Sequence, residues 1–224
     1  VVRSTIELPP GAVLAMGGQR VPGRTEQAFS PDGKYLAMTA SRNGTPSGSM
    51  LYLRALDGAE PQPVAGTEGA RQPFFSPDGV WVGFWADGTL RKVPRQGGIP
   101  TELFASEDVP KGAFWTADGR ILLGGGSGIR RIPDGGGAAE VLTHVDPERE
   151  TEHTLPFLLP DGRTLLVTAT RDSCGYRARV AAVVISDGTR RVLIDDAADA
   201  RYLHTGQIVF VRQGVMMAAI EFVH

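Results

Sequence analysis

The sequence predicts an all-β fold, and three observations predict it. A short phrase recurs five times at a nearly constant interval. Glycine (29) and proline (16) are abundant in a chain of 224 residues, and no stretch carries the 3.6-residue apolar period of a helix. The clearest copy of the phrase is Phe29-Ser30-Pro31-Asp32-Gly33-Lys34-Tyr35-Leu36-Ala37. The second runs from Phe75 through Pro77-Asp78-Gly79 to Gly83, the third from Trp115 through Asp118-Gly119 to Leu123, and the fourth from Leu158 through Pro160-Asp161-Gly162 to Leu166. A decayed fifth copy is Leu203-His204-Thr205-Gly206-Gln207-Ile208. The glycines lie 46, 40, 43 and 44 residues apart. A period of that length marks an array of one supersecondary unit.

Each repeat opens with a short apolar stretch and a tight turn. Proline presets φ at the first corner, Asp32, Asp78, Asp118 or Asp161 accepts local backbone hydrogen bonds, and Gly33, Gly79, Gly119 or Gly162 takes a positive φ without strain. A second strand follows, as at 35–38 and 81–85. A third is read at 50–56, 90–93, 129–132 and 180–185. A glycine-containing turn then leads to a short fourth strand at 63–64, 101–104, 140–142 and 191–194. Four strands in each repeat of about 44 residues, meandering through tight turns, make one propeller blade. The predicted fold is therefore a β-propeller of four-stranded antiparallel blades. It forms one domain over 1–224 with repeats near 20–66, 67–106, 107–145, 146–197 and 198–224. A further strand is read at 3–8. The fifth repeat has middle strands at 207–211 and 215–222 and no fourth. Either the strand at 3–8 completes that blade and closes a five-bladed ring, or the chain is a fragment of a larger propeller. An open array would expose strand edges and invite self-association, so a homo-oligomer is a third expectation.

Bulk properties narrow the function. A net charge of −2 gives no basic field for nucleic acid, and no apolar run is long enough to insert in a membrane. The single Cys174 excludes an internal disulfide framework. No leader sequence is evident, so the chain reads as cytoplasmic unless a targeting segment lies outside it.

The phrases at 29–37 and 51–58 resemble the TolB-type, WD-repeat-like propeller family, over essentially residues 20–222. Within it, Thr67-Glu68-Gly69-Ala70 before Pro73-Phe74-Phe75-Ser76-Pro77-Asp78-Gly79, and Ile6-Glu7-Leu8-Pro9-Pro10-Gly11, are similar to propellers attached to bacterial membrane-bound serine/threonine kinases. The resemblance implies a binding or sensing module, in TolB a protein docking platform. It also implies a periplasmic or extracellular location if such a kinase is the parent. Kinase catalytic motifs are absent from the sequence.

Candidate chemistry is sparse. The turn aspartates are spaced for turns rather than for one ion, so no metal is expected. The run Gly124-Gly125-Gly126-Ser127-Gly128 lacks the lysine and serine or threonine of a phosphate loop and reads as a strand connection. No Gly-x-Ser-x-Gly elbow and no His-Glu-x-x-His motif occurs, so no catalytic residue and no cofactor is expected. Cys174 reads as a loop thiol, and the acidic run 146–153 as a solvated connection between blades. Trp81, Trp85 and Trp115 read as blade packing.

One constellation suggests binding. Arg71, Lys111, His153 and Arg201 each fall before an expected inner strand, with Gln27 as first-blade counterpart and Arg42 and Arg171 in the second loop set. Cations gathered on one channel rim would favour a small anion or acidic peptide. The expected function is a noncatalytic binding, sensing or scaffold module for a protein, peptide or small anionic ligand. The alternative is a propeller lyase or hydrolase with its site in the channel.

Overall fold

The computed structural model describes residues 12–14, 26–41, 48–58, 60–171 and 178–219, and among them are twenty strands and no α-helix. The expected strand at 3–8, Arg42 and Cys174 lie outside the described residues. The strands form five antiparallel sheets, in two compact units that divide between Ser106 and Glu107.

The first unit holds two sheets. One combines β1 (Val13–Leu14), β2 (Gln27–Phe29), β3 (Tyr35–Ser41), β4 (Ser49–Ala55) and β5 (Gln62–Pro63), with β1 and β2 pairing opposite ends of β3. The other is a meander of β6 (Arg71–Phe75), β7 (Trp81–Ala86), β8 (Thr89–Pro94) and β9 (Thr101–Ala105). Their facing sides bury Ala37, Leu51 and Leu53 of the first sheet against Phe75, Val82, Phe84 and Val93 of the second. Nearly every residue of β3 and β7 is buried, because each strand has sheet neighbours on both edges and apolar side chains on both faces.

The second unit holds three sheets. They are β10 (Ala113–Trp115), β11 (Arg120–Leu123), β12 (Arg130–Pro133) and β13 (Glu140–Val141); then β14 (Glu152–Leu158), β15 (Thr164–Thr170), β16 (Ala178–Val184) and β17 (Arg190–Asp195); then β18 (Ala198–Tyr202), β19 (Ile208–Arg212) and β20 (Val215–Ala219). Leu122, Ile129 and Leu142 pack on Leu165, Val167, Ala181 and Val183. The opposite face of that middle sheet, through Leu166 and Val180, packs on Ile208 and Phe210. The third and fourth strands fall within a residue or two of the positions read from the sequence.

The turns carry more chemistry than proline and glycine alone. Gly33, Gly79, Gly119 and Gly162 have φ of 67°, 69°, 75° and 67°. In the first turn the buried Ser30 hydroxyl donates to Asp32 Oδ1 (2.6 Å) and accepts the Tyr35 N–H (2.9 Å). Ser76 repeats this with Asp78 and Trp81, and Thr116 with Asp118 and Arg120. The Ser76 hydroxyl and the Val80 N–H hold the Asp78 carboxyl below its usual range. These carboxylates are engaged in their own turns.

One packing expectation is corrected. Phe29, Phe75, Trp115 and Leu158 precede equivalent turns, and equal burial follows from the repeat. Phe75 and Trp115 are buried and Leu158 is half-buried, but Phe29 is 60% exposed. Phe75 points at the preceding sheet. Phe29 belongs to the first sheet, and within its unit no earlier sheet packs on that side.

Candidate functional site

The four cations read as one rim set are not equivalent in the fold. In the inner strands the pairing slips between Arg71 and Phe74, between Thr154 and Phe157, and between Ala198 and Arg201. At each slip stands a left-handed residue: Gln72 (φ 52°), Leu155 (φ 50°) and Asp199 (φ 52°), with Gly112 (φ 91°) in the third repeat. All four lie seven residues before the turn glycine of their repeat. Counted from that glycine, Arg71 and Lys111 stand at eight, His153 at nine and Arg201 at five, where the other repeats place Phe74, Phe114 and Phe157. The bulge displaces the register, and Arg201 falls on the far side of it.

Their environments also differ. Arg71 pairs with Trp85 in the first unit and is half-exposed. In the second unit, Lys111 Nζ is salt-bridged to the buried Glu152 carboxylate. Arg201 Nε donates to Asp199 Oδ1 (2.8 Å), and its guanidinium lies 5.8 Å from the centre of the Phe157 ring. His153 is only 1% exposed. Of the second loop set, Arg171 Nε donates to the Arg149 carbonyl (3.0 Å). Gln27 is exposed on β2.

His153 sits in a buried polar chain that the sequence did not reveal. The Ile129 N–H donates to Thr143 Oγ1 (2.9 Å), which leaves the hydroxyl proton to donate to His153 Nδ1 (2.8 Å). His153 Nε2–H then donates to Glu150 Oε2 (2.6 Å), and Glu150 Oε1 is ion-paired with the Arg190 guanidinium. Burial lowers the His153 pKa from 6.5 to about 4, because desolvation penalises the imidazolium. Arg190 neutralises Glu150, so the imidazole is neutral. Of the run 146–153 read as a solvated connection, residues 147–149 and Thr151 are exposed, whereas Glu150, Glu152 and His153 are buried. The order of Thr143, His153 and Glu150 resembles a hydrolase triad, but Thr143 and His153 are buried and Thr143 Oγ1 already accepts a backbone N–H.

The glycine run 124–128 shapes the same region. The Gly125 N–H donates to the His153 carbonyl (2.8 Å), and the His153 N–H donates back to the Gly125 carbonyl (3.2 Å). A Cβ on Gly124 would stand 2.7 Å from Thr154 Cα, and one on Gly128 would stand 2.0 Å from the Thr143 carbonyl oxygen. Gly124 and Gly128 are glycine because another backbone meets theirs there.

Above this chain lies a cavity of about 570 Å³, lined by His144, Asp146, Arg149, Glu150, Ala169, Arg171, Arg179, Arg190 and Val192. It is bounded by the connection that precedes β14 and by outward positions of β15, β16 and β17. Among the described residues no three His, Cys, Asp or Glu side chains gather as a metal set, and no helix is long and apolar enough to cross a membrane.

The five sheets match known architectures. TolB from Acinetobacter baumannii superposes with a TM-score of 0.60 at 19% identity, over 87% of this chain and 53% of that one. The fold is a β-propeller. A putative TolB from Agrobacterium tumefaciens gives a TM-score of 0.58 at 21% identity, over 84% of this propeller and 69% of that chain. A structure of a nidogen/laminin complex gives 0.65 at 13%, over 87% and 74%. The propeller thus spans about half the length of the first of these relatives. No protein-family model and no curated protein matches the sequence. The likenesses establish the fold, and the link to a kinase stays an expectation from the sequence.

Proposed function

We propose that this propeller is a noncatalytic binding module that takes a protein partner by strand addition to the edge of β20 that no described strand covers. One observation carries the reading. Among the described residues β20 pairs only with β19, whereas the other four sheets each end in a further strand, β5, β9, β13 or β17. Val215, Met216 and Met217 on β20 are 61%, 75% and 41% exposed. An exposed apolar edge is a template for another extended segment, and methionine adapts to varied partners. The nidogen/laminin likeness supports a protein partner, since that structure is itself a complex of two proteins. The enzyme alternative draws less support, because the one triad-like set is closed to substrate.

Selection of extended peptides on the immobilised chain tests this. Bound peptides should alternate apolar and polar residues, and Met217→Lys should abolish their binding. Failure to select any peptide, or binding indifferent to Met217→Lys, overturns it. A second reading rests on the same edge: a second copy of the chain supplies the strand. Light scattering then gives a mass that is a multiple of 23.9 kDa, and Met217→Lys reduces it to one copy.

A further inference from the structure

We propose that the cavity between the 144–150 connection and strands β15–β17 is a binding site for a small organic oxyanion, a carboxylate or phosphate compound with more than one negative charge. This site is separate from the β20 edge and does not depend on the strand-addition reading.

Four guanidinium groups, from Arg149, Arg171, Arg179 and Arg190, line the cavity against two carboxylates, Asp146 and Glu150. The four arginines do different things. Arg190 is committed to Glu150, which the His153 hydrogen bond holds from the other side, so this pair forms a fixed floor. Its buried Nε has no hydrogen-bond partner among the described residues. Arg149 meets Asp146 at 3.4 Å with both side chains exposed, and such a loose pair contributes little. Arg179 meets Asp195 at 2.9 Å, again with both groups exposed. Arg171 is braced through Nε by the Arg149 carbonyl and has no carboxylate partner among the described residues.

Three guanidinium groups are therefore available to an incoming anion, and the backbone contact aims one of them. Arginine recognises carboxylate and phosphate through paired N–H donors, so several such forks in one concavity select multiply charged oxyanions. The volume suits a small metabolite rather than a peptide chain, within the range of roughly 300–1,000 Å³ of ligand pockets. Among the described lining residues only Ala169 and Val192 are apolar, and charged side chains predominate. A second hollow of about 280 Å³ shares Arg171 and Arg179 but adds Asp195 and Asp196. Its described lining residues are two arginines and two aspartates, which favours the larger cavity for the anion.

Calorimetry with citrate, succinate and inorganic phosphate tests the proposal on the intact chain. Saturable one-to-one binding of at least one of the three is expected. Arg171→Ala and Arg179→Ala should each weaken it by about tenfold or more, and Arg171→Lys by less. Arg120→Ala, an exposed arginine outside the cavity, should leave affinity unchanged. Tighter binding of citrate or of phosphate identifies which oxyanion the site prefers. Circular dichroism verifies that the variants fold; both changed side chains are solvent-facing, and Arg171→Lys serves if an alanine variant does not fold. If none of the anions saturates, or if Arg120→Ala weakens binding as much as Arg171→Ala, the cavity is only charged surface and the proposal falls. Neither result bears on β20, and Met217→Lys should bind the anion normally.

Discussion

At His153 a single side chain couples the fold to pH. Its neutral ring accepts from Thr143 and donates to Glu150, and the Glu150 charge is met by Arg190. Protonation would turn Nδ1 into a donor facing a hydroxyl already engaged with Ile129, and would place a charge where burial denies it solvent. The folded pKa of about 4 lies below the ordinary 6.5. Between those values the unfolded chain binds the extra proton and the folded chain does not. Stability from this group is full above pH 6.5 and is lost as pH falls toward 4. The 6.5-to-4 interval corresponds to about 3 kcal/mol as an upper estimate. Urea unfolding from pH 7.5 to 4 should show this decline. His153→Gln, whose amide cannot titrate, should be less stable at pH 7.5 and flatter across the window. An equally steep decline in the variant would assign the effect to other groups.

Among elements, the inner strands show how far the sequence could be read. Asp-Gly turns and short apolar runs between them announce second, third and fourth strands, because turn chemistry and burial both mark them. The bulge does not announce itself, since Gln72, Leu155 and Asp199 adopt a left-handed conformation without being glycine. Only Gly112 hints at it. Arg71, Lys111, His153 and Arg201 stand eight, eight, nine and five residues before their turn glycines, so a count along the repeat already separates them into three columns. The cavity was illegible for a different reason: Arg149, Arg179 and Arg190 come from a connection and two outer strands, and only the sheet register brings them together. Burial of the residue before the turn was legible for Phe75 but not for Phe29, because it depends on which sheet lies behind the face. Phe75→Ala should cost about 3–5 kcal/mol, as for a buried phenylalanine. Phe29→Ala should change stability by less than about 0.5 kcal/mol. Equal losses at the two positions, measured by denaturant unfolding, would show that both faces are packed.

For the molecule as a whole, stability should be distributed by strand rather than by repeat. β7 and β15 are each flanked by two strands and buried on both faces, while β20 has one flanking strand among the described residues and exposed side chains. Opening free energy follows buried apolar contact and shielding of backbone hydrogen bonds. Hydrogen exchange read by mass spectrometry should therefore be slowest at 82–85 and 165–169 and fast at 215–218. The same measurement reports on the edge. Adding a strand to β20 would engage its outward N–H groups, so a bound peptide should slow exchange at 215–218 and leave 165–169 as it was. Slow exchange at 215–218 without added peptide would mean that the edge is already covered, and dilution separates the two sources. Protection that disappears on dilution comes from a second copy of the chain. Protection that survives dilution comes from within the chain, and an edge closed in that way has no place for a partner.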